Sequence, residues 1–205
     1  MELEQDSTSK RRNRTKTHFR EALIKLIKKK GYHAVTVKDI VEEAAYNRST
    51  FYFHYQDKIQ LAEDLLDRML AGLEQSAGIT YTQGRETSTK ELTNSSFSII
   101  AYFYENKSFF DLINYEDTLP GLHTRLPNMI RKIYTEQFEF TTINNMQVNM
   151  DYFKVYAALG FYGLICDLIA EDFQTPEEQF EKDVIELSQT HIQSVKFIGL
   201  KYADH

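Results

Sequence analysis

The chain has no tryptophan, a single cysteine and only three prolines, and each scarcity narrows what it can be. Cys166 alone forms neither an intrachain disulfide nor a cysteine-cluster metal site, which fits a reducing compartment. It reads as a small packed hydrophobe. Three prolines and eight glycines in 205 residues, among many Leu, Ile, Glu, Lys and Phe, speak against a turn-dense sandwich and for long helices, so an all-α protein is expected. No apolar run approaches the roughly 18–20 residues that cross a bilayer, and the N-terminus is polar where a secretory signal would be apolar. A cytoplasmic protein without membrane contact is the expectation. Catalytic patterns are missing too. No serine sits in a nucleophile-elbow context, and Cys166 lies in an apolar stretch. His123, His191, Glu116 and Asp117 lack ligand spacing along a helix. No enzyme activity, no metal and no cofactor are expected.

What is present is 42% apolar residues, enough to fill a real core in one large domain or in a small module joined to a larger one. Charge divides the chain. Between Lys10 and Gln60 there are 13 Lys or Arg against 5 Asp or Glu, a local excess of +8, whereas the whole chain carries −6. A basic module on an acidic body points to a polyanion at one end and a different task at the other.

Residues 1–9 are polar and unpatterned and are expected to form a mobile arm. Phe19, Ala22, Leu23, Leu26 and Ile27 recur at helical spacing. Lys28, Lys29 and Lys30 then place cations at the negative end of that helix before Gly31 stops it. Thr36 caps a second, short helix whose apolar face is Val37, Ile40, Val41 and Ala44. Asn47 caps a third through Arg48, Ser49, Thr50, Phe51, Tyr52, Phe53 and His54, with helix-turn-helix spacing from the second. Asp57 and Gln60 form a capping-box signal for a long fourth helix with Leu61, Leu65, Met69 and Leu73 on one stripe. Further helices are expected over 92–104, 108–115, 122–140 and 150–173. A last one begins at Thr175-Pro176-Glu177-Glu178 and reaches Gly199.

The stretch Gly31-Tyr32, Val35-Thr36-Val37, Asp39-Ile40-Val41-Glu42-Glu43-Ala44, Arg48-Ser49-Thr50-Phe51-Tyr52, His54-Tyr55, Asp57-Lys58 and Leu61 resembles the tetracycline-repressor (TetR) family of bacterial regulators. It departs from the family in the turn, where Ala45 and Tyr46 replace the usual glycine and aliphatic residue; Tyr46 can plug the same apolar gap. The resemblance implies an N-terminal three-helix DNA-binding domain over 10–60. It also implies a C-terminal antiparallel helical bundle over 61–205 for dimerisation and effector binding, with about nine helices in all. It further implies that Thr36, Tyr52, His54 and Lys58 meet phosphates, and that Arg48, Ser49 and Thr50, on a helix opened by Asn47, meet base edges.

Gly160 and Gly163, followed by Asp172-Phe173 and Thr175-Pro176-Glu177-Glu178, resemble a subgroup of the family from low-GC Gram-positive bacteria. Small residues at this spacing permit close helix approach, so Gly160, Phe161, Gly163 and Leu164 are expected at a homodimer interface. Thirteen tyrosines and fourteen phenylalanines either line an effector cavity or form ordinary core; Phe103, Phe109, Phe110, Tyr134, Phe153 and Tyr156 are the candidate lining for a small apolar or aromatic effector. The expected function is a transcriptional regulator, read as a repressor, acting as a homodimer on a palindromic operator in double-stranded DNA. The alternative is an adaptor whose C-terminal domain binds a partner protein.

Overall fold

A computed structural model describes the backbone of residues 2–93 and 96–199, with side chains from Arg12 onward in those ranges. Nine α-helices run through the described residues: α1 (Glu2–Lys30), α2 (Val37–Glu43), α3 (Arg48–His54), α4 (Lys58–Ser76), α5 (Ser98–Glu105), α6 (Lys107–Phe110), α7 (Leu122–Lys132), α8 (Met150–Ala170) and α9 (Glu177–Ser188). The chain clusters into two compact units. One comprises the residues up to Met69 together with Leu112–Leu122; the other comprises Leu70–Asp111 and the residues from His123 onward.

In the first unit Phe19, Leu23, Ile27, Ile40, Phe51, Leu61 and Leu65 are almost fully buried. The Phe19 and Phe51 rings meet edge to face at 5.3 Å, which locks α3 onto α1. Asp64 accepts from Arg20 Nε at 2.7 Å and from the Tyr55 hydroxyl at 2.8 Å, joining α4 to α1 and to the end of α3. Helix α1 also takes in residues 2–9, where an arm is expected from the sequence. No Gly or Pro lies between Glu2 and Lys30, so nothing stops the helix from propagating N-terminally out of the packed turn around Phe19. Met1 lies outside the described residues.

The second unit buries Ile100, Phe103, Phe110, Leu126, Ile130, Ile165 and Ile169. It corrects the expected bundle in two places. Helix α9 stops at Ser188, and Ile192–Phe197 forms a strand, β3, in place of the expected continuation to Gly199. Helix α7 ends at Lys132 and passes through a π-helical turn, Ile133–Gln137, into the strand β2 (Phe138–Thr142). With β1 (Glu86–Ser88) these form an antiparallel sheet in the order β1-β3-β2, with Thr87 and Phe140 both opposite Val195. The aromatic and β-branched residues of Phe138-Glu139-Phe140-Thr141-Thr142 fit a pleated surface better than a helix. The protein stays all-α apart from this small sheet.

Helix α8 corrects a second expectation, because by length and composition it is apolar enough to cross a membrane. One face of it packs in the unit through Ala157, Ala158, Phe161, Ile165, Leu168 and Ile169, as a core helix does.

Candidate nucleic-acid interface and effector cavity

The first unit presents α3 from local chemistry alone. Thr36 and Asp39 form a reciprocal capping box: the Thr36 backbone N–H donates to the Asp39 carboxylate at 2.7 Å, and the Asp39 N–H donates to Thr36 Oγ1 at 3.3 Å. Lys30 closes on the same carboxylate at 2.7 Å. This ammonium, with the bonds from Thr36, holds the Asp39 carboxyl far below the usual carboxylate range. The Thr36 hydroxyl is thus engaged twice in the cap, accepting the Asp39 N–H and donating its own proton to the Asp39 carboxylate at 2.6 Å.

The turn to α3 runs through Ala45, whose φ of +57° places an L-residue in the left-handed region. Tyr46 fills the gap behind it, packing on Phe19 at 5.2 Å and sharing a hydrogen bond of 3.0 Å with His18 Nδ1. The Ala45 side chain is exposed, so Ala45→Gly is expected to stabilise the protein by about 0.5–1 kcal/mol. Urea unfolding with unchanged DNA affinity checks this; an equal or lower midpoint counts against a strained turn.

Asn47 caps α3 by accepting the Thr50 N–H at 2.8 Å, and its Oδ1 also accepts both the Ser49 hydroxyl at 2.7 Å and the Thr50 hydroxyl at 2.8 Å. Those two hydroxyls therefore face outward with acceptor lone pairs. Arg48 is exposed and has no hydrogen bond or ion pair among the described residues, so all five of its N–H donors remain open. Tyr52 and Phe53 project from the same helix, 55% and 65% exposed. Phe53 lies under the Arg12 guanidinium at 5.1 Å from its ring centre, and Lys16 lies over Tyr55 at 5.3 Å. Sequence reasoning missed Arg12 and Lys16, although the basic run around Lys10 was the available signal, and it left Phe53 open between core and surface. His54 is half-buried beside these cations. Burial, with Lys16 and Arg12, pushes its imidazole below the ordinary histidine range, so it offers an N–H donor and no charge at neutral pH.

Lys58 is differently placed from what the family resemblance implies. Its ammonium donates to the carbonyls of Val35 at 2.7 Å, Tyr32 at 2.9 Å and His33 at 3.1 Å, and it lies 4.5 Å from the centre of the Tyr32 ring. All three donors are occupied inside the unit, so a phosphate reaches this ammonium only by displacing a carbonyl. Asp117 secures the same turn: its backbone carbonyl accepts from Tyr32 N–H at 3.0 Å, and its carboxylate accepts from the His33 N–H at 3.1 Å and from His33 Nδ1. Gly31, at φ +77°, permits this approach, since a Cβ there would fall onto the Asp117 carboxylate.

The second unit contains a cavity of about 330 Å³. Of the six aromatic residues expected to line one, Tyr134 and Tyr156 border it. Phe153 stands just behind, its ring 6.2 Å from Phe140 and 5.9 Å from His191. Phe103, Phe109 and Phe110 lie in the core instead, with Phe103 and Phe110 4.3 Å apart and all three at most 2% exposed. Among the residues expected at a dimer contact, Gly160 and Gly163 are exposed, Leu164 is half-buried and Phe161 is buried. Gly160, Phe161 and Leu164 also border the cavity.

Residues 20–65 match the family described as bacterial regulatory proteins, tetR family. Two HTH-type transcriptional regulators of Bacillus subtilis (strain 168) are similar to this chain. YxbF is 22% identical over 170 residues, covering 82% of this chain and 43% of that protein. YvkB is 31% identical over 113 residues, covering 52% of this chain and 60% of that protein. The chain thus spans about half the length of the curated relatives it matches. Among solved structures, a TetR transcriptional regulator from Streptococcus agalactiae 2603V superposes with a TM-score of 0.57 at 20% identity, covering 88% of this chain and 97% of that one. That likeness is one of fold.

Proposed function

We propose that this chain, which belongs to the tetR family of bacterial regulatory proteins, is a cytoplasmic repressor that binds a palindromic operator as a homodimer and is released by an effector. In this reading residues 10–60 bind the DNA, and residues 61–205 dimerise and hold the effector. The observation that carries it is α3, capped at Asn47, which presents exposed Arg48, Ser49 and Tyr52 from a stretch with a local charge of +8. A helix N-terminus with free donors suits the major groove, and the surrounding cations suit phosphates. Arg48 takes guanine O6 and N7 in bidentate fashion. Ser49 and Thr50 use their lone pairs on base donors, while Tyr52 and neutral His54 donate to phosphates; Thr36, whose hydroxyl proton goes to Asp39 at 2.6 Å, reaches a phosphate only by giving up that bond.

The test is operator selection from random duplex DNA by the purified protein, followed by anisotropy titrations. Operator affinity is expected to fall by about three orders of magnitude between 50 and 200 mM salt. Arg48→Ala is expected to cost about 1–3 kcal/mol and to relax preference at one position per half-site. Tyr52→Phe is expected to weaken all sequences alike. A flat salt dependence, or no sequence preference after selection, overturns the reading.

A further inference from the structure

The lining of the cavity in the second unit is selective in charge. Among the described residues, no Asp, Glu, Lys or Arg borders it, and its only imidazole is His191. Burial pushes that ring below the ordinary histidine range, so it too is neutral at pH 7. An ion entering such a space loses its hydration and finds no counter-charge, a cost of several kcal/mol.

One part of the wall is an ordered aromatic row, set among aliphatic side chains such as Ile99, Ile133 and Val195. Tyr134 and Phe140 stack at 5.8 Å with planes 18° apart, and Phe138 continues the row 6.1 Å from Phe140 with planes 30° apart. Tyr81 closes the end of the row, edge-on to Phe138 at 5.3 Å.

Two sets stand out among the cavity's polar groups, which also include Ser96, Tyr156 and His191. Thr89, Ser188 and Thr190 point their hydroxyl protons at backbone carbonyls, donating to Ile192 at 2.9 Å, Ile185 at 2.7 Å and Leu187 at 2.7 Å. The phenols of Tyr81 and Tyr134 have no hydrogen-bond partner among the described residues, and they lie close enough to influence each other electrostatically. Burial raises both, Tyr81 to about 12, so each keeps its proton and can only be satisfied as a neutral hydroxyl. Two phenol protons without an acceptor among the described residues are therefore available to an oxygen that enters the cavity.

We propose that this cavity takes an uncharged, flat aromatic molecule bearing a carbonyl-type oxygen, whose rings lie along Tyr134, Phe140 and Phe138 and whose oxygen accepts from Tyr134 and Tyr81. The inference deepens the effector reading above and rests on it for its regulatory meaning. A carboxylate of the same shape is rejected for want of a cation, and an alkyl ketone forgoes the ring stacking.

The test uses four probes in calorimetric titrations of the full chain: 9-fluorenone, fluorene, fluorene-9-carboxylate and 2-decanone. Fluorenone is expected to bind most tightly and the carboxylate not measurably. Tyr134→Phe, which keeps the ring and its packing, is expected to weaken fluorenone roughly ten-fold while leaving fluorene within about two-fold; Tyr81→Phe is expected to do the same. Tightest binding of the carboxylate or of 2-decanone overturns the inference, as does a fluorenone affinity unchanged in both tyrosine variants. Anisotropy on the selected operator separates this from the regulatory reading. Fluorenone binding that depends on Tyr134 but leaves operator affinity unchanged upholds the ligand class and removes the effector role.

Discussion

Replacing Lys58 with alanine is expected to destabilise the protein by about 2–3 kcal/mol, lowering its melting temperature by roughly 5–10 °C. The reason lies in the turn that follows α1. Helix α1 ends at Lys30, and the chain from Gly31 to Val35 has to reverse before Thr36 can cap α2. Carbonyls at such a reversal lack helical partners. Lys58 supplies one ammonium to three of them, those of Tyr32, His33 and Val35, and sits over the Tyr32 ring. Removing it leaves half-buried acceptors without a charged donor and opens a gap beside Tyr32. Lys58→Met keeps most of the aliphatic stem and loses only the donors, so it is expected to show the greater part of the same loss. Family resemblance alone gives this lysine to a phosphate, a role that costs DNA affinity and leaves stability untouched. Circular-dichroism melts of both variants, beside anisotropy on the operator, separate the two. A melting point unchanged in Lys58→Ala would mean that the three carbonyls do not need the ammonium.

The contrast between Lys58 and its neighbours explains what sequence reading can reach. The caps at Thr36, Asn47 and Asp57 are legible because each pairs residues three apart: Asp39 N–H on Thr36, Thr50 N–H on Asn47, and Gln60 N–H on Asp57 at 2.9 Å. Lys58 finds carbonyls 23 to 26 residues earlier, and Asp117 grips His33 across 84 residues. Separations of that kind leave no periodic trace. The strand Ile192–Phe197 is hidden for a related reason. It is only six residues long, follows directly on a helix, and owes its conformation to pairing with Phe138–Phe197 and Thr87–Val195 partners far away in the chain. Aromatic residues raise another difficulty. Phe103 and Tyr134 look alike in sequence, yet one is fully buried core and the other borders a cavity. Only packing separates them.

Gly163→Leu is expected to turn the protein into a monomer at micromolar concentration and to lower operator affinity by about 100-fold or more. Helix α8 is apolar on two faces. One is buried in its own unit; the other exposes Tyr152 at 77%, Tyr156 at 71% and Leu159 at 50%, with Gly160 and Gly163 just beyond them. A surface helix needs only one apolar stripe, and a second one of this size suits a partner helix. In the proposed homodimer that partner is a second copy of α8, brought close by the glycines. A Cβ added at Gly160 or Gly163 points into open space away from the rest of the protomer, which leaves room for a side chain to start there. Leucine in place of glycine within a helix is in fact favourable by about 0.5–1 kcal/mol. Any loss of assembly therefore comes from a partner surface and not from misfolding. Gly163 is the better probe, because Gly160 also borders the cavity and its substitution would alter ligand binding as well. Once the dimer is lost, each protomer grips a single half-site, and the affinity gained by linking two recognition helices about 34–36 Å apart disappears. Sedimentation equilibrium reads the oligomeric state, far-ultraviolet circular dichroism verifies that helicity is intact, and anisotropy gives the operator affinity. A Gly163→Leu protein that is still a dimer with wild-type operator affinity would remove this face of α8 from the interface.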